Sequence, residues 1–129
     1  MVESNRGLET ASSTALGAAL ACPDRRVIAF QADGCGLYTV QALWLMARES
    51  AEVTVVLCAN RRCRILQTEL ARTGIARSRT KALAITDLTR PVIDWVSLAK
   101  GFGVPACRAG TDDEFVGRSD AGLSNRVHR

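Results

Sequence analysis

Two short, nearly continuous apolar runs constrain most strongly what this 129-residue chain can fold into. Residues 26–32 (RVIAFQA) and 53–59 (VTVVLCA) have the length and apolar content of buried parallel strands. Between them, residues 38–49 predict a helix that is apolar almost all round and is therefore buried on several sides. A strand, a helix and a second strand in this order predict a βαβ unit with parallel strands and a right-handed crossover.

The flanking sequence continues this alternation of helices and strands. The Ala- and Leu-rich residues 8–21 predict a helix, with Ser12 or Ser13 as its cap if it begins late. Two further helices and a third short strand are expected at 65–72, 91–100 and 104–108.

These elements predict the α/β fold class, with a parallel sheet that has helices on both faces. Residues 73–90 show no periodicity and are expected to form a loop. Residues 117–129 are polar, rich in Gly and Ser, and expected to form a frayed tail. The predicted organisation is therefore one domain at 1–116 followed by a polar tail.

The composition excludes several classes of protein. Hydrophobic residues make up 47% and charged residues 23%, as in ordinary globular domains. No apolar run is long enough to span a membrane, and the first residues lack the pattern of a secretory signal, so a cytoplasmic protein is expected. The five cysteines include no CxxC pair, which argues against a disulfide framework and a zinc site. Except for Cys35, they are expected to be small buried core residues.

The formal net charge of +4 is concentrated in one segment. Residues 61–90 contain eight basic and two acidic residues. Such a segment can attract phosphates or nucleic acid, or it can be an ordinary solvated face. It has no aromatic residue on which bases could stack, so nucleic-acid binding is the less favoured reading.

Polar residues follow both predicted strands. Asp33 comes after the first strand and Asn60 after the second, so neighbouring parallel strands would bring them to one crevice. Their carboxylate and amide oxygens suit Mg²⁺. Gly34 and Gly36 flank a turn into a helix, where backbone N–H groups favour a phosphate. The alternative is that all four are turn and cap residues without a ligand.

Residues 20–70 resemble the thiamine diphosphate (ThDP) binding motif of the acetolactate synthase and benzoylformate decarboxylase family. The family's signature is Gly-Asp-Gly, then a helix and a strand that ends in Asn-Asn. The resemblance implies that Asp33, Asn60 and the backbone carbonyl of Arg62 hold Mg²⁺. It also implies that Gly34 and Cys35 contact the diphosphate. Residues 94–104 resemble the helix and strand that follow in the family.

The sequence departs from the family pattern at several positions. Ala32 and Ala59 replace the first Gly and the first Asn of the signature, and Cys35 replaces a Ser, which trades a hydroxyl for a weaker thiol donor. The Gly- and Pro-containing segment expected before Leu16 is degraded, and the strand expected after Phe115 is missing. The resemblance therefore implies an incomplete Rossmann-like ThDP-binding domain.

The resemblance also implies an activity and partners. The family's enzymes are lyases and transferases that decarboxylate 2-oxo acids or join them to other carbonyl compounds. The cofactor carries that chemistry, and this domain anchors it without a catalytic side chain of its own. A glutamate from a partner domain activates the cofactor. A homo-oligomer, or a subunit that carries the missing domains, is therefore the expected partner.

Three hypotheses follow from the sequence. The first is a ThDP-binding cofactor domain, and the second is a non-catalytic α/β remnant or protein-interaction module, which the departures favour. The third is a basic nucleic-acid-binding module that uses residues 61–81. Titration with ThDP and Mg²⁺ separates the first from the others, and salt-dependent RNA binding would favour the third.

Overall fold

The computed structural model of the chain describes residues 10–73 and 80–124. Two strands, β1 (Val27–Ala32) and β2 (Val53–Cys58), pair in parallel. Their register runs from Val27 opposite Val53 to Ala32 opposite Cys58. Both predicted strands and their parallel pairing are thereby confirmed.

Seven helical segments accompany this pair in the described ranges. Four of them are α1 (Ala11–Ala21), the short turn α2 (Asp33–Gly36), α3 (Ala42–Arg48) and α4 (Arg64–Arg72). The other three are α5 (Thr80–Ala84), α6 (Trp95–Gly101) and α7 (Asp112–Ser124). None of them is long and apolar enough to cross a membrane.

The hydrophobic core lies on one face of the strand pair. It is built on Leu16 of α1, Leu43 and Met46 of α3, and Ala99 of α6, against which residues of β2 pack. Burying an aliphatic side chain of this size stabilises a fold by about 1.5–3 kcal/mol. The core therefore holds three helices against one sheet face.

The side chains of β1 alternate between this covered face and an open one. Ala29 and Gln31 are buried, and Ser12 of α1 donates a hydrogen bond to Gln31 Oε1 at 3.4 Å. Ile28 and Phe30 point to the opposite face, where they are 47% and 66% exposed. Among the described residues, the helices that form the core thus cover the sheet face to which Ala29 and Gln31 point.

The starts of α1 and α3 differ from the predictions. The N-cap of α1 is Thr10, and no side chain caps it, so neither Ser12 nor Ser13 has the predicted role. Ser12 is instead buried against Gln31. The start predicted at residues 8 and 9 lies outside the described residues. The helix predicted from residue 38 begins only at Ala42, because the chain first turns at Thr39 and Val40.

The helix predicted from residue 91 begins four residues later, at Trp95. The cause is Asp94, which caps α6: its Oδ1 accepts from Ser97 N at 3.1 Å, and its Oδ2 accepts from Ser97 Oγ at 2.6 Å. A side chain that satisfies a free N–H in the first turn fixes where a helix starts.

The prediction of a third strand at 104–108 is wrong. Residues 104–110 form no strand, although Val104 and Ala106 pack against the core. The N–H group of Val104 donates to Ala99 O at 2.9 Å and so closes the end of α6. Gly103 makes this closure possible with a φ of 84°, in the left-handed region.

The predictions of a loop at 73–90 and an unstructured tail at 117–129 are partly wrong. Thr80–Ala84 form α5, and α7 continues through Ser124. The start of α7 has acidic residues in its first turn, and Glu114 N donates to Thr111 Oγ1 at 3.3 Å. Residues 74–79 and 125–129 lie outside the described residues. The domain boundary at residue 116 stays a prediction.

The cysteines are less buried than predicted. Cys22, Cys58 and Cys107 are exposed and Cys63 is half-buried, whereas Cys35 is buried. The reason is position: Cys22 follows the last residue of α1, and Cys58 is the last residue of β2.

Gly36, at the end of α2, makes the closest packing contact near the strand ends. A Cβ atom at this position would lie 3.2 Å from Trp95 Cη2 and 3.4 Å from Gln31 Cγ. The same atom would lie 3.4 Å from Leu57 Cδ1. Glycine here lets the first residue of α6 approach the ends of both strands.

We expect Gly36→Ala to lower the free energy of unfolding by about 1–3 kcal/mol, because the added methyl group overpacks this contact. Gly17→Ala is the matched control. Nothing lies within 4 Å of a Cβ at Gly17, inside α1, so this change should stabilise the chain by about 0.5–1 kcal/mol. Urea denaturation measures both, and equal effects of the two substitutions would contradict the packing.

The cap of α6 should make stability depend on pH. Hydrogen bonds from the Ser97 side chain and backbone lower the pKa of Asp94 below its usual 3.8. Because the pKa is lower in the folded state, the stabilisation is complete above a pH of about 3.8 and is lost as the pH falls through the folded value.

Asp94→Ala should therefore lower Tm at neutral pH, by an amount that shrinks in acid. Asp94→Asn keeps an acceptor for Ser97 N without a titrating group, so it should retain most of the cap at every pH. Thermal melts between pH 2 and 7 test this expectation. A Tm loss in Asp94→Ala that stays constant over that range would rule it out.

Candidate functional site

The carboxyl ends of β1 and β2 lie side by side. Ala32 pairs with Cys58, so Asp33 and the segment from Ala59 onward leave the sheet at the same edge. This edge is where ligands bind in open α/β folds. The residues predicted from the sequence as cofactor and metal ligands all lie along it or in the turn that follows β2.

Asp33 links the two strand ends. Its side chain is buried, with 2% of its surface exposed. Its Oδ1 accepts from the N–H of Gly34 at 2.8 Å, and its Oδ2 accepts from the N–H of Arg61 at 2.6 Å. Since each carboxylate oxygen can accept more than one hydrogen bond or metal bond, both oxygens retain lone pairs for a ligand.

The turn after β2 brings Asn60 next to that contact. The peptide N–H that reaches Asp33 belongs to Arg61, whose nitrogen is bonded to the carbonyl carbon of Asn60. Asn60 Oδ1 accepts from Arg62 N at 2.9 Å, which makes an Asx turn. Arg61 has a φ of 59°, so the chain bends through the left-handed region there. The structure thus brings Asp33 and the Asn60–Arg62 turn together.

The backbone carbonyl of Arg62 has a contact of its own. It accepts from the N–H group of Arg64, the first residue of α4, at 3.0 Å. One lone pair of this oxygen remains after that hydrogen bond, as for Asn60 Oδ1. Asn60 and Arg62 are both exposed, so their oxygens lie in a part of the turn that solvent reaches.

Gly34 and Cys35 lie in α2, directly after β1, and both are buried. A Cβ atom at Gly34 would lie 3.3 Å from Cys63 Sγ, so the two strand-end segments pack closely at this point. The N–H group of Gly34 is held by Asp33 Oδ1. The first turn after β1 is therefore tied both to Asp33 and to the segment after β2.

Sequence analysis did not predict the segment of the chain that pairs with this turn. Cys63 N donates to Thr86 O at 2.9 Å, and Leu88 N donates to Arg61 O at 3.0 Å. Residues 86–88 thus pair with residues 61–63, although they belong to the segment predicted as a loop. No spacing rule connects positions so far apart, so the sequence contains no signal for this pairing.

The electrostatic character of the turn is positive. The side chains of Arg61, Arg62 and Arg64 are exposed. Hydrogen bonds from the side chain and backbone of Thr89 lower the pKa of Asp87, with a smaller contribution from Arg62. Three exposed arginines within four residues, with Asp87 as the acidic residue paired with this turn, give the segment a net positive charge, which favours the approach of an anion.

The donor atoms indicate which cations could bind here. Within residues 10–73 and 80–124, no group of three or more His, Cys, Asp or Glu residues could hold a metal ion. The oxygens predicted from the sequence as cation ligands are a carboxylate oxygen of Asp33, an amide oxygen of Asn60 and the peptide carbonyl of Arg62. Mg²⁺ uses such a set, with water and phosphate oxygens for its remaining positions. The residues present therefore fit a magnesium diphosphate.

Comparison with known proteins gives relatives that align with most of this chain. The chain is 45% identical over 103 residues to a Mycobacterium tuberculosis protein provisionally named acetolactate synthase large subunit IlvX. The aligned residues make up 79% of this chain and 20% of that protein. It is 31% identical over 114 residues to benzoylformate decarboxylase from Pseudomonas aeruginosa, covering 86% of this chain and 20% of the relative. The chain thus spans about a fifth of the length of these relatives.

A solved structure shares the fold. The thiamine diphosphate-dependent 4-hydroxybenzoylformate decarboxylase of Rhodococcus jostii RHA1 matches with a TM-score of 0.78 and 31% identity, over 92% of this chain and 21% of that structure. Residues 5–126 match the family described as thiamine pyrophosphate enzyme, C-terminal TPP binding domain. The family predicted from residues 20–70 is thereby confirmed. The chain belongs to the thiamine pyrophosphate enzymes and corresponds to their C-terminal TPP-binding domain.

Proposed function

We propose that this chain binds ThDP through Mg²⁺, as the cofactor domain of an acetolactate synthase-like enzyme that decarboxylates or joins 2-oxo acids. The observation that carries the proposal is the buried carboxylate of Asp33, which accepts hydrogen bonds from both strand-end segments. A carboxylate in this position provides a fixed negative charge at the edge where a magnesium diphosphate would bind.

Each predicted ligand has a distinct role in the proposal. Asp33, Asn60 and the carbonyl of Arg62 hold Mg²⁺ with oxygen atoms. Gly34 and Cys35 contact the diphosphate, chiefly through the backbone of α2. The exposed arginines of the turn after β2 support this assignment, since they favour an anion at the same edge.

The chain's own contribution is to bind and orient the cofactor. When bound, ThDP supplies the electron sink needed to break or form a carbon–carbon bond beside a carbonyl group. The names of two relatives indicate the class of substrate, since they act on benzoylformate and 4-hydroxybenzoylformate, which are aromatic 2-oxo acids. A 2-oxo acid is therefore the substrate class proposed for the assembled enzyme.

The contacts of the glutamates in the described part are with residues outside the candidate site. Glu52 O accepts from Val27 N at the amino end of the strands, opposite to Asp33, and Glu49 ends α3 near the same end. Glu69 is paired with Arg72 on the surface of α4. Glu114 accepts from Gly110 N at the start of α7. The glutamate that activates the cofactor is therefore proposed to come from a partner: another copy or a subunit with the remaining domains.

A non-catalytic interaction module is the second candidate. Ile28 and Phe30 form an exposed apolar part of the sheet face, of the kind that partner proteins cover. The N–H group of Gly34, which would face a diphosphate, already donates to Asp33. This candidate predicts that the chain binds neither Mg²⁺ nor ThDP, so the following experiment separates the two.

Isothermal titration of the full chain with ThDP should show binding with Mg²⁺ and none with EDTA. Asp33→Asn should weaken binding by about a hundredfold or more, because it removes the negative charge from the metal site but keeps the shape of the side chain. Asp24→Asn is the matched control, since Asp24 is exposed in the turn between α1 and β1. Binding that survives Asp33→Asn, or that does not require Mg²⁺, would refute the assignment.

The purified chain by itself should not release CO₂ from pyruvate or benzoylformate in the presence of ThDP and Mg²⁺. The physical reason is reach: general acid–base catalysis needs a group within about 3 Å of the proton it moves, and we propose that this group is a glutamate of a partner. Coupled detection of CO₂ measures this. A cofactor-dependent rate that Asp33→Asn abolishes would show that the chain contains its own activating group.

A further inference from the structure

We propose that Thr86 is a positioning residue for the cation site: its buried hydroxyl holds the turn after β2 in the shape that presents the Arg61 amide to Asp33 and the Arg62 carbonyl to the metal. The consequence for cofactor binding rests on the proposed function. The structural part of the proposal concerns the chain without ligand and can be tested separately.

Thr86 is among the most buried side chains of the described part, with 1% of its surface exposed. Its hydroxyl makes two hydrogen bonds. It donates to Leu83 O at 2.7 Å, and it accepts from Gln67 Nε2 at 2.9 Å. The hydroxyl therefore connects α5, through Leu83, with α4, through Gln67. A polar group buried to this degree is costly unless it is hydrogen-bonded, so the Thr86 hydroxyl requires both partners to stay in place.

The backbone of the same residue reaches the cation site. Thr86 O accepts from Cys63 N at 2.9 Å, and two residues later Leu88 N donates to Arg61 O at 3.0 Å. These two hydrogen bonds lie on either side of Arg62. They fix the peptide groups before and after it, as in a short antiparallel bridge between Arg62 and Asp87.

This pairing determines what Asp33 can contact. The N–H group of Arg61 donates to Asp33 Oδ2 at 2.6 Å, while the carbonyl of the same residue is held by Leu88. Arg61 adopts a φ of 59°, a conformation that costs a non-glycine residue about 1 kcal/mol or more. A turn of this kind persists only if its surroundings hold it, and the Thr86 segment provides two of the bonds that do so.

A magnesium site makes a strict demand on that turn. Mg²⁺ requires near-ideal octahedral geometry, so a loosened donor lowers affinity for the cation. Loss of the Thr86 hydroxyl should therefore act on the Mg²⁺ dependence of ThDP binding. A general defect of the fold would instead weaken ThDP binding even when Mg²⁺ is saturating.

The test compares Thr86→Val, which removes the hydroxyl, with Thr86→Ser, which keeps it. Thr68→Val is the matched control, because Thr68 is exposed on α4 and its hydroxyl bonds only to Arg64 O within that helix. Gln67→Met removes the hydrogen bond between Gln67 and Thr86 from the Gln67 side. This variant is measured in place of Thr86→Val if Thr86→Val does not fold.

Two quantities are measured on the full chain. The first is the NMR hydrogen-exchange rate of the Arg61 and Cys63 amides without ligand, which should rise about tenfold in Thr86→Val and stay unchanged in Thr86→Ser and Thr68→Val. The second is the Mg²⁺ concentration for half-maximal ThDP binding, which should rise about tenfold in Thr86→Val, with little change in ThDP affinity at saturating Mg²⁺.

The outcomes separate this proposal from the proposed function. Unchanged exchange at Arg61 in Thr86→Val would overturn the positioning role. An unchanged Mg²⁺ midpoint, or an equal loss of ThDP affinity at all Mg²⁺ concentrations, would overturn the role in cation binding. If the unmodified chain does not bind ThDP, the proposed function and the role of Thr86 in cation binding both fail, and the exchange rates alone decide whether Thr86 holds the turn.

Discussion

The carboxylate of Asp33 connects the elements on which the candidate site depends. It is buried at the end of β1, and its two oxygens accept one backbone N–H group from the turn after β1 and one from the turn after β2. Hydrogen bonds to a charged acceptor are roughly twice as strong as those between neutral groups. The parallel strands bring the two turns to one edge, and Asp33 sets how they meet there.

The parts of this arrangement that could be predicted are those encoded by neighbouring residues. The apolar runs predicted β1 and β2 almost to the residue, because a buried strand needs a continuous apolar stretch. Once the strands are parallel, Asp33 and the turn at Asn60 must leave the sheet at the same edge, and they do. The ligand roles of Asp33, Asn60 and Arg62 stay predictions.

The parts that could not be predicted depend on contacts between distant residues. Thr86 lies in a segment without periodicity, and its burial follows from partners on two helices. Val104 is a β-branched residue of the kind that favours strands, but its N–H group donates to Ala99 O at the end of α6. The start of α7 was readable in principle: Thr111 and Glu114 have the spacing of a capping box, a signal that the Gly- and Ser-rich composition of the segment obscured.

The left-handed conformation of Arg61 limits how this turn can vary. At a φ of 59° the side chain carries a steric penalty that glycine would not have and that a β-branched residue would increase. The backbone there contacts Asp33 and Leu88, whereas the guanidinium is exposed. Position 61 should therefore accept Gly or Asn more readily than Val or Ile. The charge of this residue can change at little cost to the fold, while its backbone shape cannot.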